Sequence, residues 1–121
     1  MKRKPSLAAL RRKLDKVFQA YVRKRDTNGI KIGRCITCGV LAKLQAGHFI
    51  KRQHLSVRWD ERNCHGQCIR CNLFLGGNEA EYYHALHMKY GYAVMDELMR
   101  LKRTTVKYSR SDLEEMIERY K

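Results

Sequence analysis

From Leu7 to Tyr21 the apolar residues Leu7, Leu10, Leu14, Val17, Phe18 and Tyr21 recur every three or four positions, which predicts a one-faced helix running to about Asp26. Ser6 stands where an N-cap belongs, and Thr27–Asn28–Gly29 supplies the stop, since Asn and Gly accept left-handed backbone. The helical period then fades. Between 30 and 75 two short stretches, Ala46–Ile50 and Val57–Arg62, read as strands. Beyond Gly76–Gly77 the helical period returns from Asn78, with Tyr82, Tyr83 and Leu86, and Gly91 breaks it. A further helix carries Val94, Leu98 and Leu101. A last one is opened by the capping pair Ser111 and Glu114, ahead of Met116, Ile117 and Tyr120. The pattern predicts an α+β fold in a single domain spanning 1–121, with an N-terminal helix (1–29), a β-rich centre (30–77) and C-terminal helices (78–121).

Charge changes that picture from a fold to a partner. The net charge of +14 is carried unevenly: residues 1–26 hold ten Lys/Arg against two Asp/Glu, residues 27–75 eight against two, and residues 76–121 eight against eight. The surplus lies wholly in the first helix and the centre. Such asymmetry favours a polyanion, because neutralised phosphates release counterions. The N-terminal "MKRK" is followed by "LAALRRK", so charges interrupt any signal-like apolar segment, and no run approaches the ~18 apolar residues of a membrane span. A cytoplasmic protein is expected, with no membrane partner.

In the cytoplasm cysteines stay reduced, so paired CxxC motifs point to metal rather than disulfides. Cys35 and Cys38 form one knuckle and Cys68 and Cys71 the other, the four thiolates of a closed tetrahedral Zn²⁺ site. Cys64 is left over and reads as a core thiol. The 29 residues between Cys38 and Cys68 leave room for a β-hairpin, one strand with "AGHFI" and the other with "VRWDERN", and a helix after "CIRCN".

With the motifs "C-x2-C", "GHFI", "N-x4-C-x2-C-N" in that order, the chain resembles the Cys₄-zinc form of the HNH, or ββα-metal, nucleases, and more closely the phage recombination proteins of the NinG/Rap family. The specific motifs lie within 35–78. The second knuckle is also similar to that of the zinc-held resolvase of T-even phages, where Asn likewise follows CxxC. The resemblance implies a zinc-stapled ββα-metal core and a metal-dependent DNA endonuclease acting on branched intermediates such as Holliday junctions or D-loops, in a bacterial host cell if phage-encoded. It implies His48 as the base that activates water, Asn63 as the residue holding the hairpin, and Asn72 at the start of the following helix as a ligand to a catalytic Mg²⁺ or Mn²⁺. A turn-forming Asn63 and a helix-capping Asn72 are the plainer readings. Two positions depart from the family: Gly47 stands where HNH enzymes commonly carry Asp, and Gln45 where NinG-like sequences carry an acid. His65 or Asp60 are the candidates to compensate.

Lys51, Arg52, Arg58, Arg62 and Arg70 lie on or beside the expected hairpin, where a phosphate backbone would pass. Trp59 suits core packing ahead of base stacking, and His84 and His87 suit a solvated helix face. Resolution of a four-way junction needs two cuts, so a homodimer is a mechanical expectation, with the first and last helices as its surfaces. The alternative function is a zinc-stabilised nucleic-acid-binding protein without chemistry, which explains charge and cysteines equally well.

Overall fold

The computed structural model describes residues 3–29 and 31–121. Helix α1 (Leu7–Asp26) begins where expected: the Ser6 hydroxyl accepts from the Ala9 amide at 3.0 Å. It ends because Thr27 turns extended and folds both its amide and its hydroxyl back onto the Arg23 carbonyl. Two antiparallel hairpins follow. In the first, β1 (Ile32–Arg34) pairs with β2 (Leu41–Lys43), and the turn between them carries Cys35 and Cys38. Gly39 closes that turn at φ 76°, a conformation that suits glycine. In the second, β3 (Gln45–His48) pairs with β4 (Cys64–Gln67) in the register Gln45↔Gln67 and His48↔Cys64.

Val57–Arg62 is not a strand. Helix α2 (Leu55–Arg58) and a 3₁₀ turn (Glu61–Asn63) occupy it, and the true partner strand starts at Cys64. The alternation of Val57 and Trp59 with Arg58 and Asp60 mimics a strand for a different reason. Val57 packs with Phe49, Tyr82 and Leu86, whereas Trp59 packs with Leu10, Leu14 and Phe18, so this segment threads between two cores. Asp60 fixes the bend by accepting from the Arg62 amide at 2.9 Å.

After the second knuckle the expected helix is only a wide five-residue turn, Arg70–Phe74, cut off by Gly76 and Gly77, both at positive φ. Asn72 therefore lies inside a turn rather than at a helix start. The long helix α3 (Glu79–Tyr90) starts after Asn78, whose side chain makes no cap bond and instead reaches Cys71 Sγ at 3.6 Å. Gly91 separates α3 from α4 (Tyr92–Lys102). Helix α5 (Arg110–Tyr120) starts two residues earlier than expected: Ser109 and Asp112 form the reciprocal capping box, and Ser111 falls inside the helix.

Helices α1 and α5 pack against each other, with Leu10, Leu14 and Phe18 on one and Leu113, Ile117 and Tyr120 on the other. The apolar faces expected to join two copies are thus buried within one chain. The second core joins α3 and α4 to the loop after β3, and the third is formed by Cys35, Leu44, Cys68 and Cys71. The β3–β4 hairpin stands between all three, which is what fixes its residues in space.

Candidate functional site

The Sγ atoms of Cys35, Cys38, Cys68 and Cys71 lie within 4.8 Å of one another. Around a tetrahedral ion with Zn–S bonds of about 2.3 Å, sulfurs stand about 3.8 Å apart; Cys38 and Cys68 are 3.7 Å apart. Donors surround the set: the Thr37 hydroxyl lies 3.0 Å from Cys35 Sγ, and the Cys71 amide donates to Cys68 Sγ. Burial works against ionising Cys35, yet the Thr37 hydroxyl and the backbone amides of Cys68, Cys38 and Thr37 bring its thiol down to about 6. Cys38 receives help from the Val40 amide, but burial and the three neighbouring thiols push it up to about 12. Four crowded thiols can ionise together only around a cation. The donor set fits a metal such as zinc. Cys64 lies outside it, fully buried, and burial pushes its thiol up to about 12.

His48 ends β3 with its ring held at one nitrogen. Nε2 donates to the Arg58 carbonyl at 2.9 Å, so the neutral ring carries its lone pair at Nδ1, which lies 3.9 Å from the Cys64 thiol. Burial is the main cause that lowers its pKa below that of a free imidazole. Asn63, fully buried, accepts from the Ile50 amide at 2.8 Å and donates to the carbonyls of Ile50 and Val57. It thereby stitches both ends of the 50–57 loop to β4, immediately before the carbonyl that His48 needs. Asp15 of α1 completes the support: it accepts from Arg58 and from the Trp59 indole at 3.0 Å. Trp59 is accordingly a core residue. Sequence reasoning missed Asp15, whose only signal is a lone carboxylate on the face of a helix otherwise apolar.

His48, Asn72 and Gln45 line one cleft of about 650 Å³, together with Lys51, Arg52, Gln53, and Gln19 and Arg23 of α1. The Asn72 amide donates to Gln45 Oε1 at 2.8 Å, which leaves its own oxygen free as a neutral donor atom. Among the described residues no acidic side chain lines the cleft. Gly47 explains part of that: a Cβ there would come 1.9 Å from Gln67 Oε1 and 3.0 Å from Asn72 Oδ1. Gln67 is itself fully buried, tied through Nε2 to the Gly77 carbonyl at 2.9 Å, with its oxygen unpartnered. Space that a longer residue 47 would need is already filled. Leu73, which lines the cleft, and its neighbours Phe74 and Leu75 are exposed.

The remaining candidates separate. His65 points away from the cleft, bonded through Nε2 to Tyr90 at 2.9 Å, and burial followed by nearby Arg25 depresses its pKa to about 4. Asp60 is bound by Arg62 at both oxygens. Of the expected phosphate contacts, Lys51 and Arg52 line the cleft, Lys51 donating to the Gly76 carbonyl at 3.0 Å and the half-exposed Arg52 standing 3.6 Å from Asp15, and Arg70 is exposed, whereas the more buried Arg58 is paired closely with Asp15 and Arg62 with Asp60 and Glu97. Arg23 and Gln19 take part instead, brought in by a helix distant in sequence. His84 is exposed and joins no cluster of metal ligands among the described residues.

A basic α+β protein thus results, in which a four-cysteine centre buttresses a cleft holding a histidine, an asparagine and several cations. Its family follows from comparison: the chain belongs to the NinG family of phage proteins, matching the family described as Bacteriophage Lambda NinG protein over residues 2–121. It is 38% identical to protein ninG of Salmonella phage P22 and 35% identical to protein ninG of Escherichia phage lambda, each over 82 residues. That stretch is 65% of this chain and 38% of either relative, so the chain matches about two-fifths of the length of these proteins. No solved structure matches it. Among the described residues no helix is long and apolar enough to cross a membrane.

Proposed function

We propose that this chain is a metal-dependent DNA endonuclease of the HNH type, cutting branched recombination intermediates such as Holliday junctions or D-loops. The observation that carries the reading is the meeting of His48, Asn72 and the cations Arg23, Lys51 and Arg52 in one cleft, although the sequence separates them by up to 49 positions. Phosphodiester hydrolysis needs a base for water and positive charge beside the phosphate. His48 takes the proton at Nδ1, its ring held by the Arg58 carbonyl. Asn63 holds the preceding carbonyl, that of Val57, and so acts on the Arg58 carbonyl only through the backbone, without touching substrate. The cations neutralise and orient the backbone.

For the group that HNH chemistry implies, Mg²⁺ or Mn²⁺, the cleft offers one neutral protein oxygen and no carboxylate, a sparser donor set than such ions usually take from protein. Asn72 Oδ1 would hold it, with water and phosphate oxygens in the other positions, as such ions commonly accept. When bound, the ion supplies stabilisation of the charge that develops on the phosphate and leaving oxygens. Branch preference rests on the family resemblance; two coordinated cuts would need a homodimer.

Incubation of the purified protein with a labelled four-way junction and Mg²⁺ or Mn²⁺ tests the reading. Cleavage is expected, lost in His48→Ala with binding intact. A folded, DNA-bound protein that cuts nothing under either metal overturns it. One observation favours the binding-only alternative: no carboxylate lines the cleft. The same experiment separates the two, because a binding protein retains the junction uncut.

A further inference from the structure

A second cleft of about 600 Å³ opens on the other side of Arg23, lined by Arg23, Lys24, Thr27, Lys31, Lys43 and Leu44. Four of these are cations and none is acidic. Arg23 lines both clefts. The structure sorts the basic residues of this region sharply. Arg25, next along α1, is consumed internally: it pairs with Asp26 and donates to the carbonyls of Glu61 and Cys64. By contrast, Arg23, Lys24, Lys31 and Lys43 have no ion-pair partner among the described residues.

Basic residues in a last helical turn also complement the helix dipole, which gives Arg23 and Lys24 an ordinary reason to exist. It gives none for Lys43, which comes from the separate β1–β2 hairpin yet faces the same space. Cations from two elements converge without a carboxylate between them, and such self-repulsion is relieved by a bound anion.

Geometry says which anion. Gln19 lines the first cleft, Arg23 both, and Thr27 the second, each four residues after the last along α1 and its cap. At 1.5 Å per residue these eight steps cover about 12 Å. Duplex DNA rises about 3.4 Å per nucleotide along its axis, so this rail spans three to four nucleotides. A single small anion would use one cleft; a continuous polyanion uses both.

We propose that the second cleft binds the phosphodiester backbone of the same nucleic acid as the first, the two together following three to four nucleotides along α1, with Arg23 as the shared contact. This deepens the nucleic-acid reading of the first cleft and rests on it, but does not require cleavage. Fluorescence anisotropy on a labelled duplex and a labelled four-way junction, without added Mg²⁺, compares wild type with Lys24→Glu/Lys43→Glu. A control, Lys13→Glu/Lys107→Glu, makes the same charge change at exposed positions outside both clefts. Removing two phosphate contacts lowers the slope of log affinity against log salt by about 1.8. The expected result is that decrease and a loss of affinity of at least tenfold for the cleft variant alone. Neutral Lys24→Gln/Lys43→Gln should give a smaller loss in the same direction. Equal loss in the control assigns the effect to net charge and overturns the proposal, as does an unchanged slope in the cleft variant. Should wild type bind no nucleic acid, both readings fall; should it bind without cutting, only the nuclease reading falls and the salt slope still decides this one.

Discussion

The imidazole of His48 donates Nε2–H to the backbone carbonyl of Arg58 at 2.9 Å, a contact between the end of a strand and the end of a four-residue helix ten positions later. A carbonyl can only accept, so this bond sets the tautomer and points the basic nitrogen elsewhere. Burial holds the ring neutral to lower pH than a free imidazole. In the proposed reaction the neutral form would be the base, so the rate of DNA cleavage should rise with pH through a midpoint below 6.5 and stay flat above it. His48→Ala should lower the rate by roughly 10²–10⁴-fold while zinc content and DNA binding persist. A rate still climbing between pH 7 and 8 would exclude His48 as the titrating group.

Asp15 supports that tautomer from beneath. Its side chain is 10% exposed and holds Arg58 and the Trp59 indole together. Asp15→Ala leaves a largely buried guanidinium unpaired, which costs about 3 kcal/mol, and should lower the urea midpoint accordingly. Asp60→Ala breaks a pair in which Arg62 is 30% exposed, and the cost should be about 1 kcal/mol. Equal midpoints for the two variants would show that Asp15 is not a keystone.

Metal analysis should find one zinc per chain. Cys71→Ser should lose tight zinc and cooperative unfolding together, because an ion held by the four cysteines would join the β1–β2 turn to the 68–74 segment. Cys64→Ser should leave the zinc count unchanged. With metal bound, Cys64 should resist alkylation at neutral pH, since burial pushes its thiol to about 12. Loss of zinc in Cys64→Ser would overturn the assignment of the four ligands.

Gly47 is held as glycine by its neighbour across the hairpin. Because a Cβ would sit 1.9 Å from Gln67 Oε1, Gly47→Ala should destabilise by about 2 kcal/mol, and Gly47→Asp should fail to strengthen divalent-ion binding. Gly47→Ala/Gln67→Ala should be closer to wild type in thermal melts than the sum of the single changes. Strict additivity would mean that the two side chains do not compete for one space.

Local chemistry was enough to read several features from the chain alone. Each CxxC pair brings two thiols together through a turn of four residues, so the four candidate metal ligands are visible without a fold. Ser6, Gly91 and the apolar spacing of Leu10, Leu14 and Phe18 likewise act within a turn or two of helix. What folding had to settle was every relation across long sequence distance. The strand assignment at Val57–Arg62 failed because burial of Val57 and Trp59 in two different cores imitates alternation. Which arginines stay free depended on Asp15, Asp60 and Glu97, partners two to 43 positions away. Arg23 enters the cleft because α1 is packed beside β3, a placement fixed by burial of its far face on α5. Periodicity and motif spacing report what neighbours along the chain can do; charge pairing and shared cavities belong to neighbours in space.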